Sequence, residues 1–123
     1  MHDLIIIMFT VLRLCENSST DNLAEQAIGP YQIRPIFVED VNRIAGTDFV
    51  HEDARNERVA QQMIYVYLMH YGARYEGRTG NEADAFILGR IFNGGPFGYT
   101  KGATLEYGER CQNLYEQWRY ENE

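Results

Sequence analysis

A glutamate, Glu16, closes an apolar run and precedes two glycine-rich segments, Ala27-Ile28-Gly29-Pro30-Tyr31-Gln32-Ile33 and Arg90-Ile91-Phe92-Asn93-Gly94-Gly95-Pro96. Glycine lets backbone come close to a ligand, and proline fixes the turn that presents it. Gln32 and Asn93 carry amides whose donors and acceptors match the hydroxyl and acetamido groups of a sugar. Tyr31 can stack on a pyranose face while its hydroxyl hydrogen-bonds, and Gly94 and Gly95 leave room beside Asn93. Alone, either segment reads as an ordinary turn. Together with an acid they point to glycan cleavage.

Glu16 is the expected acid. Partial burial disfavours the charged carboxylate, and the negative end of a helix dipole repels it, so both effects raise the pKa. A carboxyl group kept protonated near neutral pH can protonate a glycosidic oxygen. A second carboxylate is needed about 5–5.5 Å away for retention or about 6.5–9.5 Å away for inversion. Asp21 and Glu25 are the candidates, with Asp21 preferred as nucleophile or electrostatic stabiliser.

The order Glu16, Gly-Pro-Tyr-Gln-Ile, a tyrosine-rich helix, Arg-Ile-Phe-Asn-Gly-Gly-Pro and Ala-Thr-Leu-Glu-Tyr resembles the lysozyme superfamily. Within it, the chain is most similar to the invertebrate-type (destabilase) lysozymes and their bacterial and phage relatives. Lytic transglycosylases are more distant and share a Gly-x-x-Gln-Ile and Asn-x-Gly pattern. The resemblance spans about residues 10 to 110. It implies a lysozyme-like fold, a peptidoglycan or chito-oligosaccharide partner, Glu16 as acid, and sugar contacts from Tyr31, Gln32, Asn93, Gly94 and Gly95. The family aspartate lies in a loop that is several residues shorter here. Phe92 and Phe97 stand where relatives usually have His and Arg, and Gly108 where they often have Trp, which predicts poorer core packing there.

A chain of 123 residues, 45% hydrophobic and 24% charged, suits one domain spanning 1–123. The net charge of −7 and eleven scattered Lys and Arg residues exclude a general nucleic-acid binder. Acidity also costs electrostatic steering toward an anionic wall, unless the groove itself is locally neutral or basic. Cys15 and Cys111 are expected as two buried free thiols, where invertebrate-type lysozymes carry many disulfides. His51, Glu52 and His70 show no persuasive ligand spacing, so neither metal nor cofactor is expected.

Leu4 to Phe9 is continuously apolar but too short to span a bilayer. Asp3 replaces a basic leader region and no small-residue cleavage site follows, so the expectation is a core helix without an export signal. Cytoplasmic synthesis with a periplasmic, cell-wall or phage-delivered site of action would then follow, as a monomer. Asn17-Ser18-Ser19 matches a glycosylation sequon by chance.

These residues must be positioned by helices, because no period-two alternation is present. A mainly α fold is expected, α+β at most. Residues 3–16 read as a central helix, apolar all round, and 17–35 as an irregular connection with room for a hairpin at 23–34. Ile36, Phe37, Val41 and Ile44 fit a helix stopped by Gly46. Further helices are predicted at 51–72, ended by Gly72, at 82–92, and at 103–120 with Leu105, Cys111, Leu114 and Trp118 inward. Tyr65, Tyr67, Tyr71 and Tyr75 suit packing better than a cleft.

The sequence favours a muramidase, with a lytic transglycosylase and a non-catalytic domain as the alternatives. A muramidase would hydrolyse the β-1,4 link between N-acetylmuramic acid and N-acetylglucosamine, with Glu16 and Asp21. A lytic transglycosylase would use Glu16 alone and form an anhydro-sugar. A non-catalytic lysozyme-like domain would bind glycan without cutting it.

Overall fold

A computed structural model describes residues 1–17 and 20–123; Ser18 and Ser19 of the sequon lie outside the described residues. The fold is mainly α: α1 is His2–Glu16, α2 Pro35–Ala45, α3 Glu57–Thr79, α4 Ala85–Gly94 and α5 Leu105–Glu121. Among the described residues no helix is long and apolar enough to cross a membrane. The chain divides into two compact units. Met1–Cys15 joins Leu68–Glu123 in the first, and Glu16–Tyr67 forms the second.

In the first unit, α1 buries Ile5, Met8, Val11, Leu12 and Cys15. The 5, 8, 12, 15 spacing is one helical stripe. Ile6 (45% exposed) and Leu14 (54%) face away from it. The helix is apolar on both sides, as expected, but buries only one of them rather than lying centrally.

Gly72 does not end a helix. The α3 helix continues to Thr79, and Gly80 terminates it with φ +73° and an N–H donated to the Glu76 carbonyl at 2.9 Å. A Cβ on Gly72 would sit 2.7 Å from Met1 Sδ and 3.2 Å from Leu88 Cδ2. The glycine serves close packing inside the helix.

The α4 helix starts at Ala85, three residues later than expected, because the Asp84 carboxylate accepts the Ile87 N–H at 2.9 Å and caps it. On α5 the inward positions are Thr104 just before it, Gly108 and Cys111. Leu105 lies one residue, about 100°, off that stripe and is exposed, against expectation. Leu114 and Trp118 are half-buried. Small residues bring α4 and α5 together. A Cβ on Gly89 would lie 2.6 Å from Cys111 Sγ, and one on Gly108 would lie 2.6 Å from Arg90 Cγ and 2.9 Å from Phe86 Cδ1. The missing bulk at Gly108 is thus filled by neighbours, and no packing defect results. Cys15 and Cys111 are buried thiols, not joined in a disulfide.

In the second unit, α2 begins with Pro35 after an extended Arg34 and ends at Gly46, whose φ of +68° suits a left-handed cap. Phe37 stacks on Tyr67 with ring centroids 4.1 Å apart. The helix expected from residue 51 is interrupted. A 3₁₀ turn covers His51–Arg55, and Asn56 then turns extended and accepts the Val59 N–H at 3.1 Å, capping α3. The connection before α2 holds two single-rung bridges, Asn22 with Ala27 and Ile28 with Ile33, rather than a hairpin.

Candidate functional site

The second unit holds Glu16 and the first glycine-rich segment. Ala27, Ile28, Tyr31 and Ile33 point into its core, and a tight turn, closed by Gln32 N–H to the Gly29 carbonyl at 3.1 Å, connects them. Gly29 has φ +75°, and a Cβ there would stand 2.3 Å from the Ala54 carbonyl oxygen. The glycine is required where the loop crosses the 3₁₀ turn. His51 Nε2 bonds the Ile33 carbonyl at 2.7 Å and ties the same two segments.

This crossing positions Asp21. Its Oδ1 accepts the Gly29 N–H at 3.2 Å, and its Oδ2 meets Arg55 Nη1 at 2.7 Å. Arg55 also pairs with Glu52. The Arg55 guanidinium first, and the Gly29 amide second, hold the Asp21 carboxyl below the usual carboxylate range. Asp21 is a fixed anion. Gln32, at φ +53°, donates from Nε2 to the Gly29 carbonyl at 2.9 Å and the Thr20 carbonyl at 3.2 Å. Its amide ties the backbone just before Asp21 to the Gly29 turn that Asp21 itself contacts.

Two sequence expectations change here. Tyr31 offers no ring face to a sugar: it is 1% exposed, and its hydroxyl accepts a hydrogen bond from Gln61 Nε2 at 3.1 Å. The apolar ring went to the core because its neighbours Ile28 and Ile33 face the same way. Glu25 is exposed and paired with Arg34 at 2.6 Å, which ties it to the loop's outer side. Asp21 is held by two contacts on the inner loop, Glu25 by one at the surface, and Glu16 is the half-buried last residue of α1.

The second glycine-rich segment ends α4 in the first unit. Asn93 is exposed, and Gly95 (φ +94°) donates its N–H to the Ile91 carbonyl at 2.9 Å. The Gly94 carbonyl accepts from Lys101 Nζ at 2.6 Å, and a Cβ on Gly94 would meet Thr104 Cγ2 at 2.5 Å. Gly94 and Gly95 therefore shape the cap and its fold-back, leaving Asn93 as the outward group.

Arg90 escaped sequence reasoning. It is 8% exposed, donates from Nε to Thr104 Oγ1 at 2.9 Å and from Nη2 to the Lys101 carbonyl at 2.8 Å, and lies over Phe86. A charged residue between Leu88 and Ile91 on a buried face was the available signal. Tyr67, Tyr71 and Tyr75 are core residues. Among the described residues, no group of three His, Cys, Asp or Glu side chains is placed to hold a metal ion.

Compared with protein-family models, curated proteins and solved structures, the chain matches none.

Proposed function

We propose that this protein is a muramidase-like glycosidase acting on the β-1,4 links of peptidoglycan, with Glu16 as general acid and Asp21 as electrostatic stabiliser. The observation that carries this reading is the held ionisation of Asp21, through Arg55 and Gly29, in the same compact unit as the glutamate that ends α1. Glycosidases assign opposite protonation states to two carboxyl groups through their surroundings. An anion locked by an arginine suits stabilising an oxocarbenium-like charge better than direct attack on carbon. Gln32 acts as a brace for that anion. A monomer acting on wall glycan fits this reading.

One observation favours a second reading. Both oxygens of Asp21 are engaged and Glu25 is paired with Arg34. Glu16 working without a nucleophilic partner would make the protein a lytic transglycosylase, in which the substrate's acetamido group assists.

Mass spectrometry of purified peptidoglycan separates these. Reducing-end muropeptides from wild type, absent with a folded Glu16→Gln variant, are the expected result. Anhydro-muropeptides would move the assignment to transglycosylase. No release by wild type would overturn cleavage altogether.

A further inference from the structure

The chain carries eighteen acidic and eleven basic residues, so the place where cations gather decides where an anion can approach. Among the described residues, Arg74, Arg78, Arg90, Lys101 and Arg110 of the first unit belong to no ion pair. Three of these five, Arg78, Arg90 and Lys101, meet the segment from Gly94 to Thr104.

That segment is stiff. Gly98 donates to the Gly95 carbonyl at 2.8 Å, and Thr104 Oγ1 donates to the Gly98 carbonyl at 2.6 Å. A Cβ on Gly98 would fall 2.0 Å from the Arg90 carbonyl oxygen, so the turn lies directly on α4. Arg90 holds it from beneath through Thr104 and the Lys101 carbonyl. Its charge is spent on building the ledge.

The outer side of the ledge carries different groups. Phe97 is 48% exposed, with the Arg78 guanidinium 4.6 Å from its ring centroid. The Tyr99 ring is 6.4 Å from Phe97 and meets the buried Tyr75 edge-on at 4.8 Å. Lys101 reaches back to the Gly94 carbonyl beside the exposed Asn93. Aromatic rings favour the C–H face of a pyranose, and a guanidinium favours a carboxylate. A rigid ledge loses little freedom when it binds.

We propose that Phe97, Tyr99, Arg78 and Lys101 form a binding subsite for a pyranose that bears a carboxylate. Phe97 and Tyr99 supply the stacking surface, and Arg78 and Lys101 neutralise the anion. This subsite rests on the glycan reading above. It also resolves an electrostatic conflict: an acidic body meets an anionic glycan through a locally cationic patch.

The test is calorimetric titration of the full chain with three disaccharides: N-acetylglucosaminyl-N-acetylmuramic acid, its carboxyl methyl ester, and chitobiose. The acid should bind about tenfold tighter than the other two, a difference that shrinks as salt rises. Arg78→Gln with Lys101→Gln should erase that preference, and Phe97→Ala should weaken all three ligands by about tenfold. Equal wild-type affinity for acid and ester would overturn the subsite while leaving the glycan reading intact. A preference for the acid that survives in the double variant would also overturn it. Binding of none of the three would remove the glycan reading and the subsite together. The salt dependence is read on wild type, so the test does not depend on how the variants fold.

Discussion

The Sγ atoms of Cys15 and Cys111 lie 3.3 Å apart, both buried, and separated by 96 positions in the chain. Arg110 Nη2 donates to the Cys15 carbonyl at 2.6 Å and holds the end of α1 beside α5. The two thiols are close enough to pair with a small shift. Diamide, which takes two electrons and two protons, should convert both to one intramolecular disulfide, read as loss of two titratable thiols without dimer. A loop this long predicts stabilisation on the order of 4 kcal/mol in the oxidised form. Persistence of both thiols under denaturing alkylation would refute the pairing.

Cys111 also fills the space that Gly89 leaves open. Gly89→Ala would place a Cβ 2.6 Å from Cys111 Sγ and 2.9 Å from its Cβ. Overpacking there should cost about 1–3 kcal/mol, seen as a lower urea midpoint. The same substitution in a Cys111→Ala background should cost less, because the sulfur is gone. Equal costs in both backgrounds would show that the contact does not matter.

Gly29 and Gly46 share a left-handed backbone but differ in surroundings. Gly46 has φ +68° and open space for 4 Å around where a Cβ would stand, whereas at Gly29 a Cβ would strike the Ala54 carbonyl oxygen. Gly46→Ala should cost about 1 kcal/mol, from backbone strain alone. Gly29→Ala should cost more, roughly 3 kcal/mol or above, since strain and clash add. Similar denaturation midpoints for the two variants would contradict this account.

Asp21 sets a pH dependence whose sign follows from its neighbours. Arg55 and the Gly29 amide lower its folded pKa, so the folded state favours the ionised form. The contribution is fully present above the unfolded value of about 4 and is lost as pH falls through the lower folded value. Asp21→Asn should therefore flatten thermal stability below about pH 4 relative to wild type. An unchanged acid-side profile would mean that the Arg55 contact contributes nothing.

Tyr31 separates structure from binding. Tyr31→Phe removes the Gln61 hydrogen bond and should cost about 1 kcal/mol while leaving glycan affinity unchanged. Tyr31→Ala should cost about 3–5 kcal/mol by opening a core cavity. A loss of glycan affinity in the folded Phe variant would return Tyr31 to the site.

Local chemistry by itself determined much of the fold. The apolar stripe of α1, Pro35 and Gly46 at the ends of α2, and the apolar face of α4 are written in residues a few positions apart, where backbone preference decides. Asn56 and Asp84 are also local caps, and they moved the starts of α3 and α4 by a few residues. What only the tertiary structure decided involves residues far apart in the chain. Gly72 reads as a helix end, yet Met1 and Leu88 pack into the space it leaves. Gly108 reads as missing bulk, yet Arg90 and Phe86 fill it. Tyr31 and Gln32 read as sugar contacts, yet the core takes one ring and the Asp21 loop takes the other amide. Asp21 acquires its fixed charge from Arg55, thirty-four positions away. Spacing reveals which side chains share a helix face, but a glycine's partner and a carboxylate's counter-ion are set by which segments fold against each other.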